Sequence, residues 1–139
     1  MMEQDILVQA RALQERSEET ERGLAFIEEQ IHELELFQEN LNLFEKGDKK
    51  EILASIGRGV SIPAQITDTT LFVEVGAGVV LRKTPAETQK IIREQIRKFD
   101  TARAQLQQQL QSYVFELSVM MKNIQTIKKE LKKKNRELS

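Results

Sequence analysis

Apolar residues in this chain follow one period, exchange it for another in the middle, and then return to the first. From residue 3 to 46 they recur at alternating steps of three and four. Ile6, Ala10 and Leu13 begin the stripe, and Leu24, Ile27, Ile31 and Leu34 continue it, with Ser17 and Thr20 on the same seam. Past Leu34 the stripe is expected to slip to Phe37, Leu41 and Phe44, a slip that would locally overwind a coiled coil. A narrow stripe of this kind, free of proline and interrupted only by Gly23, predicts a seam-bearing helix over 3–46. Gly47-Asp48 is expected to end it, as a C-terminal glycine commonly does. A second helix is predicted over 85–138, with the stripe Ile92, Ile96, Phe99, Ala102, Leu106, Leu110, Tyr113, Leu117, Met120, Ile124, Ile127 and Leu131. Thr84 followed by Pro85 and Glu87 marks its start as a capping box with proline in the first turn. Its end is basic (Lys128, Lys129, Lys132, Lys133, Lys134, Arg136), which suits the negative end of a helix dipole.

Between the helices, over 50–83, the period drops to two. Ile52, Ala54, Ile56, Val60, Ile62, Ala64 and Ile66 fall on even positions, whereas Leu71, Val73, Val75, Ala77, Val79 and Leu81 fall on odd ones. Alternation rich in β-branched residues predicts strands with one buried face. Gly57-Arg58-Gly59 and Gly76-Ala77-Gly78 break the two runs as tight turns. The stretch from Ile56 to Ile62 aligns with that from Val75 to Leu81, so the segment reads as two tandem β-hairpins joined by Thr67-Asp68-Thr69-Thr70.

The helices are similar in length, and at about 1.5 Å per residue the first would span roughly 66 Å. A short β connection returns the chain to the end it left, so an antiparallel pair is expected. Charge agrees: Glu3, Asp5, Glu15, Glu18, Glu19 and Glu21 at the outer end of the first helix would lie near the lysine run of the second. The hairpins pose a different problem. Each has one apolar face, a lone hairpin is marginal in water, and nothing else in the chain is left to cover them. Open strand edges add to the liability. Assembly through the hairpins, closing a sheet or barrel shared between subunits, is the economical solution. The residues placed in that interface are Ile56, Gly57, Gly59, Val60, Ile62, Val73, Val75, Gly76, Gly78, Val79 and Leu81.

Composition narrows the chemistry. Aromatic residues make up 5% of the 139 and charged residues 31%, a balance suited to long helices with thin seams and not to a thick core. The formal charge of −1 gives no global pull toward nucleic acid or an anionic membrane, and aromatics are not interleaved with the lysines. The absence of cysteine excludes a disulfide framework and thiolate chemistry. The glycine triplets extend to neither a dinucleotide fingerprint nor a Walker pattern. His32 is the single histidine, and adjacent acids such as Glu18-Glu19 diverge on a helix. No nucleophile, metal cluster or cofactor loop is in view, so the chain reads as a binding protein and not an enzyme. With no signal-peptide pattern and no long apolar run, a cytoplasmic setting is expected.

A heptad helix, two tandem hairpins tipped by Gly-x-Gly and a returning heptad helix resemble the alpha-class subunit of the prefoldin family. The most specific stretch runs from Asp68 to Lys83, with its valine-rich strand and Val75-Gly76-Ala77-Gly78 turn, and Ile56-Gly57-Arg58-Gly59 matches the first hairpin. The resemblance covers residues 1–139 as a single prefoldin-like domain. It implies a hexamer of two alpha-class and four beta-class subunits, in which hairpins build a β-barrel platform and coiled coils hang from it. It further implies a co-chaperone that holds non-native client proteins at the coil tips and passes them to a group II chaperonin, without ATP, metal or other cofactor. Apolar residues near the predicted tips are the candidate client contacts: Ile6, Leu7, Leu13, Ile127, Leu131 and Leu138. The lysine run could attract acidic clients or acidic chaperonin sites. The alternative expectation is a structural filament or tether of the prefoldin-like family, built through the same hairpins.

Overall fold

The computed structural model describes residues 2–46 and 51–138, with side chains described from Gln4 onward in the first helix. In chain order the elements are α1 (Met2–Lys46), β1 (Glu51–Gly57), β2 (Val60–Gln65), β3 (Leu71–Gly76), β4 (Val79–Lys83) and α2 (Pro85–Leu138). The expected helix stop at Gly47-Asp48 lies outside the described residues. The fold class read from periodicity holds: two long helices and two antiparallel hairpins. The chain divides into two compact units, Met1–Gln30 with Phe99–Ser139, and Ile31–Lys98.

In the unit Ile31–Lys98, β1 pairs with β2 and β3 with β4, and among the described residues these form two separate two-stranded sheets. Each is closed by a two-residue turn in which both central residues have positive φ: Arg58 (49°) with Gly59 (78°), and Ala77 (52°) with Gly78 (75°). Such turns match the right-handed twist of the flanking strands. Gly57 (φ 121°) and Gly76 (φ 113°) occupy conformations that L side chains rarely adopt, which fixes glycine at the entrance to each turn. The pairing also repeats. Ser55 faces Ser61 and then Gly57 faces Val60, leaving Ile56 as a bulge, while Glu74 faces Val80 and then Gly76 faces Val79, leaving Val75. The internal repeat seen in the sequence is thus a repeat of turn and bulge geometry.

Between the hairpins the chain is held by Asp68, whose carboxylate accepts hydrogen bonds from the Thr70 backbone N–H (3.0 Å) and hydroxyl (2.9 Å). These bonds, the backbone one first, hold the Asp68 carboxyl below its ordinary range. At the start of α2, Thr84 caps as expected: its hydroxyl oxygen accepts from Glu87 N–H (3.1 Å), and its carbonyl from Thr88 N–H and hydroxyl (both 3.0 Å). Next to this cap, Gln89 is buried and donates its amide to the Gln38 carbonyl (3.3 Å) and the Asn42 side-chain oxygen (3.0 Å) on α1. The seam expected to slip beyond Leu34 does not pass through Phe37, although Leu41 and Phe44 lie on it as expected. Leu34 and Gln38 are half-buried and Leu41 is buried, whereas Phe37 is 46% exposed. A continued alternation of four and three leads from Leu34 to Gln38, whose backbone carbonyl accepts from Gln89.

In the unit Met1–Gln30 with Phe99–Ser139, Leu13, Leu24, Ile27 and Ile124 are buried, and Ile6, Ala10, Leu106, Leu110, Tyr113, Leu117, Met120 and Ile127 are half-buried. These are the seam positions that the spacing picked out. Ser17 and Thr20 are buried with them, each 8% exposed, and the Thr20 hydroxyl donates to the Arg16 carbonyl of its own helix (2.8 Å). Gly23 faces α2, where a Cβ would meet Leu106 Cδ1 at 3.4 Å, an ordinary van der Waals contact. Arg103, half-buried beside Ala102, pairs with Asp100 at 2.7 Å. Both partners of that pair are more than a third exposed, so it contributes little stability.

Candidate assembly and client-binding surfaces

The hairpin faces are the first candidate surface. Cross-strand partners share a face, which puts Ile52 with Ala64 and Ala54 with Ile62 in one hairpin, and Val73 with Leu81 in the other. Ala54, Ala64 and Val73 are half-buried, but Ile56 (63%), Ile62 (47%), Val60, Val75, Val79 and Leu81 are exposed. Leu53, Phe72 and Val80 are exposed on the opposite faces, outside the one apolar face per hairpin that the alternation predicts. Phe72 is cross-strand from Arg82, whose guanidinium stacks 5.5 Å from the ring centroid, which gives this aromatic a local partner. Its adjacency to Arg82 across the turn follows from the hairpin register and could have been counted from the Gly-x-Gly centre.

The second candidate surface is the helical end holding the residues assigned to clients. They divide into two groups. Leu13 is buried and Ile6 and Ile127 are half-buried on the seam, whereas Leu7 and Leu131 (each 49%) and Leu138 (86%) are exposed. From Lys128 to Leu138 every residue is exposed, and the basic run lies wholly within this stretch. Sequence reading missed exposed apolar residues off the seam: Val8, Val114, Phe115, Val119 and Met121. Their signal was present as apolar residues directly beside seam positions, in Tyr113-Val114-Phe115 and Val119-Met120-Met121.

A cleft of about 400 Å³ opens between Thr20 and Gly23 of α1 and Leu106, Gln109 and Tyr113 of α2, rimmed by Arg16 and Glu19. It lies where the α1 seam has its smallest side chains. Among the described residues no group of three or more His, Cys, Asp or Glu could hold a metal ion, and no helix is long and apolar enough to cross a membrane.

Comparison with known proteins fits this arrangement. A chain of filamentous PFD from Methanocaldococcus jannaschii, solved by cryo-electron microscopy, superimposes with a TM-score of 0.66 over 81% of this chain and 94% of that one. Identity is 20%, so the likeness is one of fold. Among curated protein sequences nothing matches. The sequence pattern of the prefoldin family, described as prefoldin subunit, matches residues 13–130. That span takes in all four strands and most of both helices, and the chain is therefore a member of the prefoldin family.

Proposed function

We propose that this chain is an alpha-class prefoldin subunit that acts as an ATP-independent holdase in the cytoplasm. Membership of a chaperone family supports a chaperone-like role and assembly with other prefoldin subunits. The observation that carries the finer reading is the exposure of Ile56, Val60, Ile62, Val75, Val79 and Leu81 on two hairpins that have no third strand among the described residues. Isolated hairpins with bare apolar faces need partners, and beta-class subunits, four to two alpha-class chains around a shared barrel, would supply them. The helical ends then engage non-native clients through Leu7, Leu131 and Leu138, with Ile6, Leu13 and Ile127 available where the seam frays, and hand them to a group II chaperonin. One apolar side chain contributes roughly 1.5–3 kcal/mol at most when buried, so a single end binds weakly and several together bind well. The exposed lysines add attraction for acidic surfaces.

A second reading, a structural filament, has the fold likeness to filamentous PFD in its favour. One experiment separates the two. The chain is mixed with a beta-class subunit, the mass of the complex is measured, and aggregation of a denatured protein is followed without nucleotide. A closed complex of defined mass that delays aggregation is the expected result. Open-ended particles formed by the chain alone, with no protection of the client, would establish the filament instead.

A further inference from the structure

Strand pairing in the first hairpin fixes which backbone groups point outward. Pro63 has no N–H, so its pair with Leu53 is of the non-hydrogen-bonded kind. The pairs on either side, Ile52 with Ala64 and Ala54 with Ile62, carry the ladder. The backbone groups of Glu51, Leu53 and Ser55 therefore point away from β2, and those of Ser61, Pro63 and Gln65 point away from β1. Along β2 this outer row is broken at its centre, where Pro63 offers a carbonyl and no donor. A proline so placed closes an edge to a further strand, and β2 has no charged residue to do so in its stead. The edges of the second hairpin are guarded by charge instead, with Glu74 in β3 and Arg82 and Lys83 in β4. The outer row of β1 is complete, and Ile52 to Gly57 carry no charge. Leu53, at the middle of that row, is 73% exposed.

We propose that the outer edge of β1 pairs antiparallel with β1 of a second copy about a two-fold axis at Leu53, and that Pro63 closes the opposite edge of the hairpin. The inference rests on the assembly reading above and adds to it the edge and the register of one contact between chains. With Leu53 opposite its own counterpart, Ile52 faces Ala54 and Glu51 faces Ser55 of the other copy, so the surface is self-complementary. The outward N–H and C=O groups of Glu51, Leu53 and Ser55 then meet donor to acceptor. Like charges do not oppose one another, because the one acid of the strand meets a serine. The register stops at Ser55, since Ile56 is bulged. The product is a four-stranded sheet in the order β2-β1-β1-β2. It joins the two faces formed by Ile52, Ala54, Ile62 and Ala64, and it ends at a proline-bearing strand on each side.

The chain has no cysteine, so single-cysteine variants of the full chain report this contact without background. In the proposed register the two Leu53 Cα atoms lie about 5.5 Å apart, inside the range of about 4.4–6.8 Å that a disulfide spans. Under mild oxidation Leu53→Cys should become a covalent dimer at least about tenfold faster than Ser61→Cys or Gln65→Cys on the closed edge. Pro63→Val restores the missing donor and should open the second edge. Its assembly should sediment at a higher mass than the wild type, with helical content by circular dichroism unchanged. Equal cross-linking on both edges, or a Pro63→Val variant of wild-type mass, would overturn the proposal. A wild-type chain that sediments as a monomer would defeat the assembly reading and this contact with it. Assembly of the wild type without a cross-link in Leu53→Cys would defeat the contact alone.

Discussion

Ala77 occupies a backbone conformation (φ 52°) that alanine adopts only at a cost of about 1–2 kcal/mol, because its Cβ crowds the following carbonyl. Asparagine tolerates this conformation, and Asn-Gly is the preferred pair for a turn with two positive φ values. Ala77→Asn should therefore raise the urea midpoint of the protein, corresponding to about 0.5–1 kcal/mol; an unchanged or lower midpoint would show that the turn is not limiting. The glycines around both turns were legible in the sequence as Gly-x-Gly. The strain on the central residue was not, because neither arginine nor alanine advertises it. The same gap explains Phe37. A search for apolar residues reached for the nearest phenylalanine, whereas geometry kept its own period and placed Gln38 on the seam.

At the scale of the elements, a buried polar contact joins α2 to α1 beside the α2 cap. The Gln89 side chain is 6% exposed and spans from α2 to α1 through two hydrogen bonds. A buried polar residue with one good partner tolerates few alternative registers, as in coiled coils keyed by a single asparagine. Gln89→Ala should cost about 1–3 kcal/mol through lost bonds and a small cavity, seen as a lower urea midpoint; a loss within about 0.5 kcal/mol would deny Gln89 a part in the register. Periodicity found both helices, the capped start of α2 and nearly every seam residue, since burying an apolar stripe is what the spacing encodes. It could not find Gln89 or give a reason for Ser17 and Thr20, because a buried polar group is defined by its partner and partners are not written in a linear pattern.

At the scale of the molecule, the hairpins leave apolar surface bare in a single chain. Placing a charge there, as Ile62→Asp or Leu81→Asp, should reduce the mass measured by sedimentation while helical content by circular dichroism is retained. Assembly that survives both substitutions would move the interface elsewhere. Period-two alternation made the apolar faces legible, and counting what could cover them led to assembly. Leu53, Phe72 and Val80 on the reverse faces were not anticipated, since alternation assigns each strand only one apolar side. The two-stranded sheets also make stability a matter of supply. A strand pair that is marginal alone has a melting point set by mass action, rising with the concentration of whatever closes it. Dilution or a shortage of partner chains would then loosen the middle of this protein first, before its helices feel any change.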